Sequence, residues 1–336
     1  MPCVSVIIPT YNRKGLLQEA LESVFAQTFR DYELIVIDDG STDGTKEAVL
    51  SRWGDRVRYF TQPNAGISAA RNAGIREAQG TYVAFLDSDD TWRPDKLALQ
   101  VDFMNQNPRT GLLATRLARY ELGSQHSQRL CPPTFPSGFL ELLNGENNVP
   151  TSTVMVRRNC FEETGCFDSS LPIAEDWDLW LRIASRYEIA CLDQVLAEHR
   201  DHLHKTTRDL EKTYEGYWRF YEKIFRAYQV DLTEPRLVFK KSQAFCYLYG
   251  VTMLRRRADI RGLILLIRAL YLSPDLGTYF LGDSSGRWSR CRSLFKPYAV
   301  IVWGVLKVIL KFVTEPVRII LKSLPARRQL KGPVKP

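Results

Sequence analysis

Residues 81–90 place the tightest constraint on the fold of this chain. They read Thr-Tyr-Val-Ala-Phe-Leu-Asp-Ser-Asp-Asp, so an apolar segment of strand length ends in three carboxylates. Such a run predicts a buried strand. In open α/β sheets the ligand-binding crevice lies at the carboxyl ends of the strands. We therefore expect Asp87 and Asp89 to emerge at that edge and point the same way, with Ser88 opposite.

Asp87 and Asp89 are a candidate site for a divalent cation. Converging carboxylates repel each other, and a hard cation that prefers oxygen ligands offsets this cost. A cation held by one or two carboxylates keeps coordination positions open for substrate phosphates. The alternative interpretation is an acidic turn before the helix expected near Pro94, with Asp90 or Thr91 as its N-cap. This segment alone does not choose between the two.

Strands and helices alternate before this stretch. Predicted strands cover residues 4–8, 32–37 and 57–60, and a helical pattern follows each of them. This alternation predicts βαβ units and a parallel sheet. The polar residues that follow the strands are Thr10 and Asn12, Asp38 and Asp39, and Asp87 and Asp89. Because the carboxyl ends of parallel strands share one edge, we expect these side chains to line a single cleft.

Asp38 and Asp39 are candidates for nucleotide binding. A carboxylate can accept a hydrogen bond from a ribose hydroxyl or from the N–H of a pyrimidine or guanine base. Both could instead serve a turn, because residues 41–44 are Ser-Thr-Asp-Gly. Arg71 lies on the helix predicted after the strand at 57–60, where it could contact a diphosphate or pair with an acid. The glycine patterns of dinucleotide-binding and P-loop proteins are absent, which argues against those classes.

Two further candidates lie downstream. Glu175 and Asp176 begin a predicted helix, where acids interact favourably with the helix dipole. They could also supply a general base and a neighbour that positions it. Three of the four histidines fall within residues 199–204, and His202 could complete a metal or phosphate site with Asp89. Histidines in loops are more often simply solvated.

The rest of the chain is predicted to contain both strands and helices as far as residue 197, and helices from residue 206. Strands are predicted at residues 112–119, 151–156, 188–192 and 195–197, with a short helix at 161–167. Residues 206–281 have helical spacing throughout, and their aromatic stripe indicates core packing. Seven cysteines are odd in number and show no zinc spacing, which favours reduced thiols in the cytoplasm. We expect no signal peptide ahead of the first strand.

The net charge of +8 is unevenly distributed. Residues 287–336 contain twelve Lys and Arg and one acid, so this tail carries +11 and the rest of the chain −3. Lys307, Lys311, Arg318 and Lys322 would form one stripe on a helix whose other faces are apolar. This pattern favours a helix at an anionic membrane surface. The alternatives are packing on the protein itself or a homodimer contact; nucleic acid is not expected as a partner.

Taken together, residues 4–207 resemble the family-2 glycosyltransferases, which have the GT-A type fold of nucleotide-diphospho-sugar transferases. The motifs that carry the resemblance are residues 4–13, 29–43 and 64–72, the Asp-X-Asp motif at 87–89, and the Glu-Asp pair at 175–176. The match is close for the first four motifs and looser around residues 199–204.

The resemblance implies a role for each matched residue. Asp39 would recognise the base, with Asp38 supporting the nucleotide loop, while Arg71 would lie near the nucleotide. Asp87 would contact the ribose or sugar, and Asp89 would hold Mn²⁺ or Mg²⁺ on the diphosphate. The catalytic residues would be Asp176, as the base, and Glu175. The other matched positions in the nucleotide-sugar site are Pro9, Tyr11 and Ser88.

The predicted fold class is α/β, with a Rossmann-like, mostly parallel GT-A type sheet flanked by helices and followed by a helical region. The domains expected are a catalytic domain at 1–205, a helical region at 206–285 and a basic tail at 286–336. The predicted function is inverting, metal-dependent transfer of a sugar from a nucleotide-diphosphate sugar to a glycan or lipid-linked oligosaccharide. The expected location is cytoplasmic, peripheral at the inner face of the membrane. The alternatives are a non-catalytic nucleotide-sugar-binding module and a sugar-phosphate nucleotidyltransferase.

Overall fold

The strands of the described region belong to one sheet with helices on both faces. The computed structural model describes residues 1–120, 128–131, 138–144 and 149–200, and positions 216, 217, 219, 220, 223, 224 and 227. The strands are β1 Val4–Thr10, β2 Tyr32–Asp38, β3 Arg58–Thr61, β4 Tyr82–Phe85, β5 Asp90–Trp92, β6 Thr110–Tyr120, β7 Gln128–Cys131, β8 Met155–Arg157 and β9 Glu188–Arg200. The helices are α1 Lys14–Phe25, α2 Thr45–Trp53, α3 Ile67–Glu77, α4 Lys96–Gln106, α5 Phe139–Asn144, α6 Asn159–Thr164 and α7 Glu175–Ala184.

The sheet has the order β3-β2-β1-β4-β8-β6-β9-β5, and β7 pairs with β6. Strands β3, β2, β1 and β4 are parallel, with Ile7 opposite both Ile35 and Phe85. Strand β8 runs antiparallel to β4 and β6, and β5 runs antiparallel to β9, whereas β6 and β9 are parallel. The α/β fold class is therefore confirmed, with the parallel half formed by the first four strands in sequence.

Each face of the sheet has its own hydrophobic core. On β1, Val6 and Ile8 point into the core under α1, α2 and α4, while Ile7 points into the core under α3 and α7. This is the alternation that an extended strand imposes. Helix α3 packs closely on Ile7, because a Cβ at Gly74 would lie only 2.4 Å from the Ile7 Cγ2 atom. The close approach brings Arg71 against the sheet.

Three local expectations differ from the structure. Residues 151–156 are not one strand: Thr151–Thr153 forms a 3-10 turn, and only Met155–Arg157 pairs as β8. The two strands expected at 188–192 and 195–197 are one strand, β9, with register shifts in the middle. Asp90 and Thr91 cap no helix, since they lie in β5 and the N-cap of α4 is Asp95.

Residues beyond 205 contribute to the core under α7. Phe220 and Ile224 are buried there, and the Phe220 ring stacks on Trp177 with centroids 4.7 Å apart. Lys223 Nζ lies 2.6 Å from Asp168 Oδ2 and 2.8 Å from Asp178 Oδ1.

His202 and the tail at 286–336 lie outside the described residues. In the part of the chain that the structure describes, no helix is long and apolar enough to cross a membrane.

Candidate active site

The predicted cleft edge is formed where β1, β2 and β4 end. Thr10 is opposite Asp38 in the parallel register, so both strands reach the same edge. The loops that follow are joined: Asn12 N donates to Ser41 Oγ, and Thr42 N donates to Asn12 Oδ1, each at 2.8 Å. Asn12 has a φ of 50°, a left-handed conformation that asparagine tolerates better than most residues. The two loops therefore form one rim.

Asp38 and Asp39 are both buried and both hold loops in place. Asp38 accepts hydrogen bonds from Ser41 N at 2.8 Å and from the Tyr59 hydroxyl at 2.5 Å. Asp39 accepts from Gln62 Nε2 at 2.7 Å and from the main-chain amides of Ala65 and Gly66 at 2.9 and 2.8 Å. Asp39 thus fixes the turn that leads into α3. The role expected in the turn at residues 41–44 is therefore present for Asp38, whereas Asp39 holds a different loop, at residues 62–66.

The Asp87-Ser88-Asp89 segment is a tight turn rather than an extended continuation of β4. Asp90 N donates to Asp87 O at 3.0 Å, which closes the turn. Ser88 is buried while Asp87 and Asp89 are partly exposed. Asp87 pairs with Arg71 on α3 and Asp89 pairs with Arg13 ahead of α1, so a common direction of the two carboxylates stays a prediction.

Arg71 connects the two acidic motifs of the cleft. Its Nη2 atom lies 2.7 Å from Asp87 Oδ1, and its Nη1 atom lies 2.8 Å from Glu175 Oε1. The Arg71 side chain is 4% exposed. Burial alone would lower its pKa, but Asp87 and Glu175 outweigh burial and raise the pKa above its ordinary value. Arg71 is therefore a permanently charged, buried bridge.

Glu175 has an unusual protonation equilibrium. Burial and then the neighbouring Asp176 raise its pKa to about 7, against the opposing effect of Arg71. Asp176 Oδ1 accepts from Trp177 N at 2.7 Å, and its Oδ2 atom lies 3.4 Å from the Thr151 hydroxyl. The residue before this pair, Ala174, has a φ of 62° and forms the N-cap of α7. The pair thus sits at a sharply turned helix start.

Asp89 is paired with a residue that sequence reasoning did not single out. Arg13 Nη1 lies 2.9 Å from Asp89 Oδ1. Two partly exposed carboxylates with oxygen donors suit Mn²⁺ or Mg²⁺, which proteins often bind through one or two carboxylates together with substrate phosphates. Among the described residues, no group of three or more His, Cys, Asp and Glu side chains is arranged to hold a metal. The residues present therefore fit a cation shared with a substrate.

The sequence did not predict two further contacts near the Asp-X-Asp turn. Ser152 is buried and hydrogen-bonds to both Asp87 N and the Asp90 carboxylate. His199 Nδ1 hydrogen-bonds to the same carboxylate, whose pKa is raised by burial and lowered in part by His199. The clustering of histidines in the sequence drew attention to His199, but no sequence pattern singled out Ser152.

Of the remaining predicted site residues, Pro9 is buried in β1 and Tyr11 is 48% exposed at the rim.

Comparisons with known proteins agree with this geometry. The sequence model of the family described as "Glycosyl transferase family 2" matches residues 5–165. The putative teichuronic acid biosynthesis glycosyltransferase TuaG of Bacillus subtilis is 30% identical over 239 residues, which cover 69% of this chain and 92% of TuaG.

Solved structures share the fold. S. aureus TarS in complex with UDP-GlcNAc superimposes with a TM-score of 0.62 at 21% identity, covering 80% of each chain. The mannosyltransferase PcManGT of Pyrobaculum calidifontis, in complex with GDP-Man and Mn²⁺, gives a TM-score of 0.57 at 18% identity, covering 96% of this chain and 88% of PcManGT. With the family match and the TuaG relationship, the sheet order and the cleft at its edge show that this chain belongs to glycosyl transferase family 2 and is a glycosyltransferase.

Proposed function

We propose that this glycosyltransferase is an inverting, metal-dependent enzyme that moves a sugar from a nucleotide-diphosphate sugar to a hydroxyl of a glycan or lipid-linked oligosaccharide. The observation that carries the proposal is the Arg71 bridge, which joins the Asp87 turn to the start of α7. It brings the candidate donor-binding carboxylates and the candidate base to one edge of the sheet. The relative TuaG is named for teichuronic acid biosynthesis, which supports a glycan acceptor.

In the proposed reaction the acceptor hydroxyl attacks the anomeric carbon from the face opposite the diphosphate. The new bond forms between the acceptor oxygen and the anomeric carbon, while the bond from that carbon to the diphosphate oxygen breaks. Asp176 takes the proton from the acceptor hydroxyl, and the nucleoside diphosphate leaves with the electron pair. A single displacement inverts the anomeric centre. Glu175 and Arg71 position Asp176 and Asp87 for this step.

Asp89 would hold the cation together with the donor diphosphate, and Asp87 would contact the ribose or the sugar of the donor. A bound Mn²⁺ or Mg²⁺ supplies positive charge that offsets the negative charge developing on the leaving oxygen. Arg13 would have to share or release Asp89 when the cation binds, since it lies 2.9 Å from that carboxylate. His202 remains a proposed further ligand.

Asp39, Asp38, Pro9 and Tyr11 would form the nucleotide end of the site. TarS has been solved with UDP-GlcNAc and PcManGT with GDP-Man, which supports a nucleotide-sugar donor for this chain without choosing the base. An exposed tyrosine at the rim offers an apolar face on which a base can stack.

The remaining parts of the proposal concern the domain bounds and the basic tail. We assign catalysis to residues 1–205 with a helical region at 206–285, from which Phe220 and Ile224 pack into the core under α7. The basic tail at 286–336 would lie on an anionic membrane surface, which would make the enzyme cytoplasmic and peripheral at the inner face. Removing residues from Trp288 onward tests this: the shortened protein should bind anionic vesicles less than the full chain. Equal binding would contradict the membrane role.

The donor site is tested by thermal unfolding with a panel of nucleoside diphosphates and nucleotide sugars, with and without Mn²⁺. A ligand that binds only the folded state stabilises it by about 2.7 kcal/mol at a hundred times its dissociation constant. We expect one nucleotide to raise the melting temperature only with Mn²⁺ present, and Asp89→Ala to abolish that shift.

Asp102→Ala is the matched control for this experiment. Asp102 is an exposed carboxylate on α4 that accepts from Gln106 Nε2 at 2.9 Å. Its variant should keep the full Mn²⁺-dependent shift. A panel with no stabilising nucleotide, or a shift that survives in Asp89→Ala, would contradict the proposed metal-dependent donor site.

A further inference from the structure

The 3-10 turn Thr151–Thr153 lies beneath the cleft and is fully enclosed. Its three residues are 5%, 1% and 0% exposed. It precedes β8 directly, and β8 is the antiparallel neighbour of β4, the strand that delivers Asp87. The turn is therefore next to the Asp-X-Asp segment in space, although Ser152 is 65 positions from Asp87 in the chain.

The hydroxyl and the carbonyl oxygen of Ser152 both hydrogen-bond to residues around the Asp-X-Asp turn. Its Oγ accepts from Asp87 N at 3.0 Å and donates to the carboxylate of Asp90. Its carbonyl oxygen accepts from Trp92 Nε1 at 2.7 Å. One hydroxyl thus fixes both ends of the four-residue turn that carries Asp87 and Asp89.

The neighbours of Ser152 reach the other half of the site and the core below. The Thr151 hydroxyl lies 3.4 Å from Asp176 Oδ2. The Thr153 carbonyl accepts from Gln100 Nε2 at 3.0 Å, and Gln100 Oε1 accepts from the fully buried Lys96 Nζ at 2.6 Å. The Lys96 ammonium also lies 4.0 Å from the Trp92 ring centroid. A buried polar network therefore supports the turn from below.

We propose that Ser152 is a positioning residue that holds the Asp87–Asp89 turn in the geometry that binds the cation and the donor diphosphate. The inference rests on the proposed function, because it presumes that this turn binds a cation with a nucleotide. Ser152 itself touches neither. It acts through the Asp87 amide and the Asp90 carboxylate, in the way that residues behind a metal site orient its ligands.

The test measures the affinity of the full chain for Mn²⁺ in the presence of UDP or GDP, whichever binds the wild type. Binding is detected as the loss of the electron paramagnetic resonance signal of free Mn²⁺. Ser152→Ala should weaken this affinity roughly 10- to 100-fold, the usual cost of losing a residue that orients metal ligands. Trp92→Phe removes the hydrogen bond to the Ser152 carbonyl and should weaken the affinity in the same direction. It decides the question if Ser152→Ala does not fold.

Thr153→Val is the matched control. Thr153 lies in the same buried turn, and its hydroxyl donates to Pro150 O at 2.7 Å and not to the Asp-X-Asp turn. Its variant should lose stability in urea comparably but keep the wild-type Mn²⁺ affinity. The inference is overturned if Ser152→Ala keeps the wild-type Mn²⁺ affinity, or if Trp92→Phe keeps it when Ser152→Ala does not fold. It is also overturned if Thr153→Val weakens the affinity equally. Each of these results would leave the proposed donor site intact. A wild type that binds Mn²⁺ with neither nucleotide contradicts the proposed function, and the inference falls with it.

Discussion

Arg71 and Glu175 are 104 positions apart in the sequence, yet Arg71 Nη1 donates to Glu175 Oε1 at 2.8 Å. The second terminal nitrogen of the same guanidinium donates to Asp87 Oδ1 at 2.7 Å. One buried cation therefore joins α3, the turn after β4 and the start of α7. The spacing between the candidate donor site and the candidate base depends on this contact.

Removing this cation should destabilise the fold strongly. Arg71→Ala leaves Asp87 and Glu175 without their partner in a site where Arg71 is 4% exposed. Breaking a buried ion pair costs about 3–5 kcal/mol, because an uncompensated charge remains. Urea unfolding measures this loss. In the control, Arg52→Ala breaks an ion pair with Glu22 whose side chains are about half exposed, and it should cost about 0–1 kcal/mol. Equal losses in the two variants would contradict the structural role of Arg71.

Asp176→Asn should separate catalysis from binding. If Asp176 is the general base, the variant loses about 10²- to 10⁴-fold in kcat, because the acceptor proton has no recipient. Its affinity for the nucleotide with Mn²⁺ should stay at the wild-type value. Turnover and nucleotide binding are measured on the same preparation. Near-normal turnover with normal binding would show that another residue is the base.

The raised pKa of Glu175 predicts a stability that falls as the pH rises. Burial and Asp176 raise the pKa from its ordinary value of 4.5 to about 7, so the folded protein retains a proton that the unfolded chain releases. This contribution is fully present below about pH 4.5 and is lost as the pH rises through 7. Glu175→Gln should flatten that part of the profile. The measurement is the difference in unfolding free energy between wild type and variant from pH 4.5 to 8, and a constant difference would contradict the shift.

Two glycines should respond in opposite ways to alanine. A Cβ at Gly80 would lie 2.6 Å from Ser5 N and 2.8 Å from Val4 C, which are main-chain atoms of a central strand. Gly80→Ala should therefore cost about 1–3 kcal/mol through overpacking. Gly15 lies in the first turn of α1, and beyond its own helical turn no described atom lies within 4 Å of its added Cβ. Gly15→Ala should therefore stabilise by about 0.5–1 kcal/mol. Thermal unfolding of both variants gives the comparison, and a destabilised Gly15→Ala would contradict it.

The sequence was most informative where local pattern decides the structure. Strands β1, β2 and β4 and the clustering of Asp38 and Asp87 at one edge follow from apolar runs that end in polar residues. The segment at 151–156 was predicted as a strand because its β-branched residues have strand propensity. Tertiary hydrogen bonds to Ser152 select a 3-10 turn instead, and propensity carries no information about them. Pairing of Arg71 with an acid was one of its two expected roles, and it is present. Which acids pair with Arg71 and Arg13 was not predictable, since these partners are set by packing between distant segments.

Asp39 already uses most of its hydrogen-bonding capacity within the protein. Its two oxygens offer about four acceptor positions, and within the described part of the chain three are taken by Gln62, Ala65 and Gly66. A donor base that meets this carboxylate can therefore add one hydrogen bond before it must displace one that holds the loop. Under the proposed role, Asp39 would accept one hydrogen bond from a suitably placed N–H of the base. The shape of the surrounding rim would then discriminate between uracil and guanine.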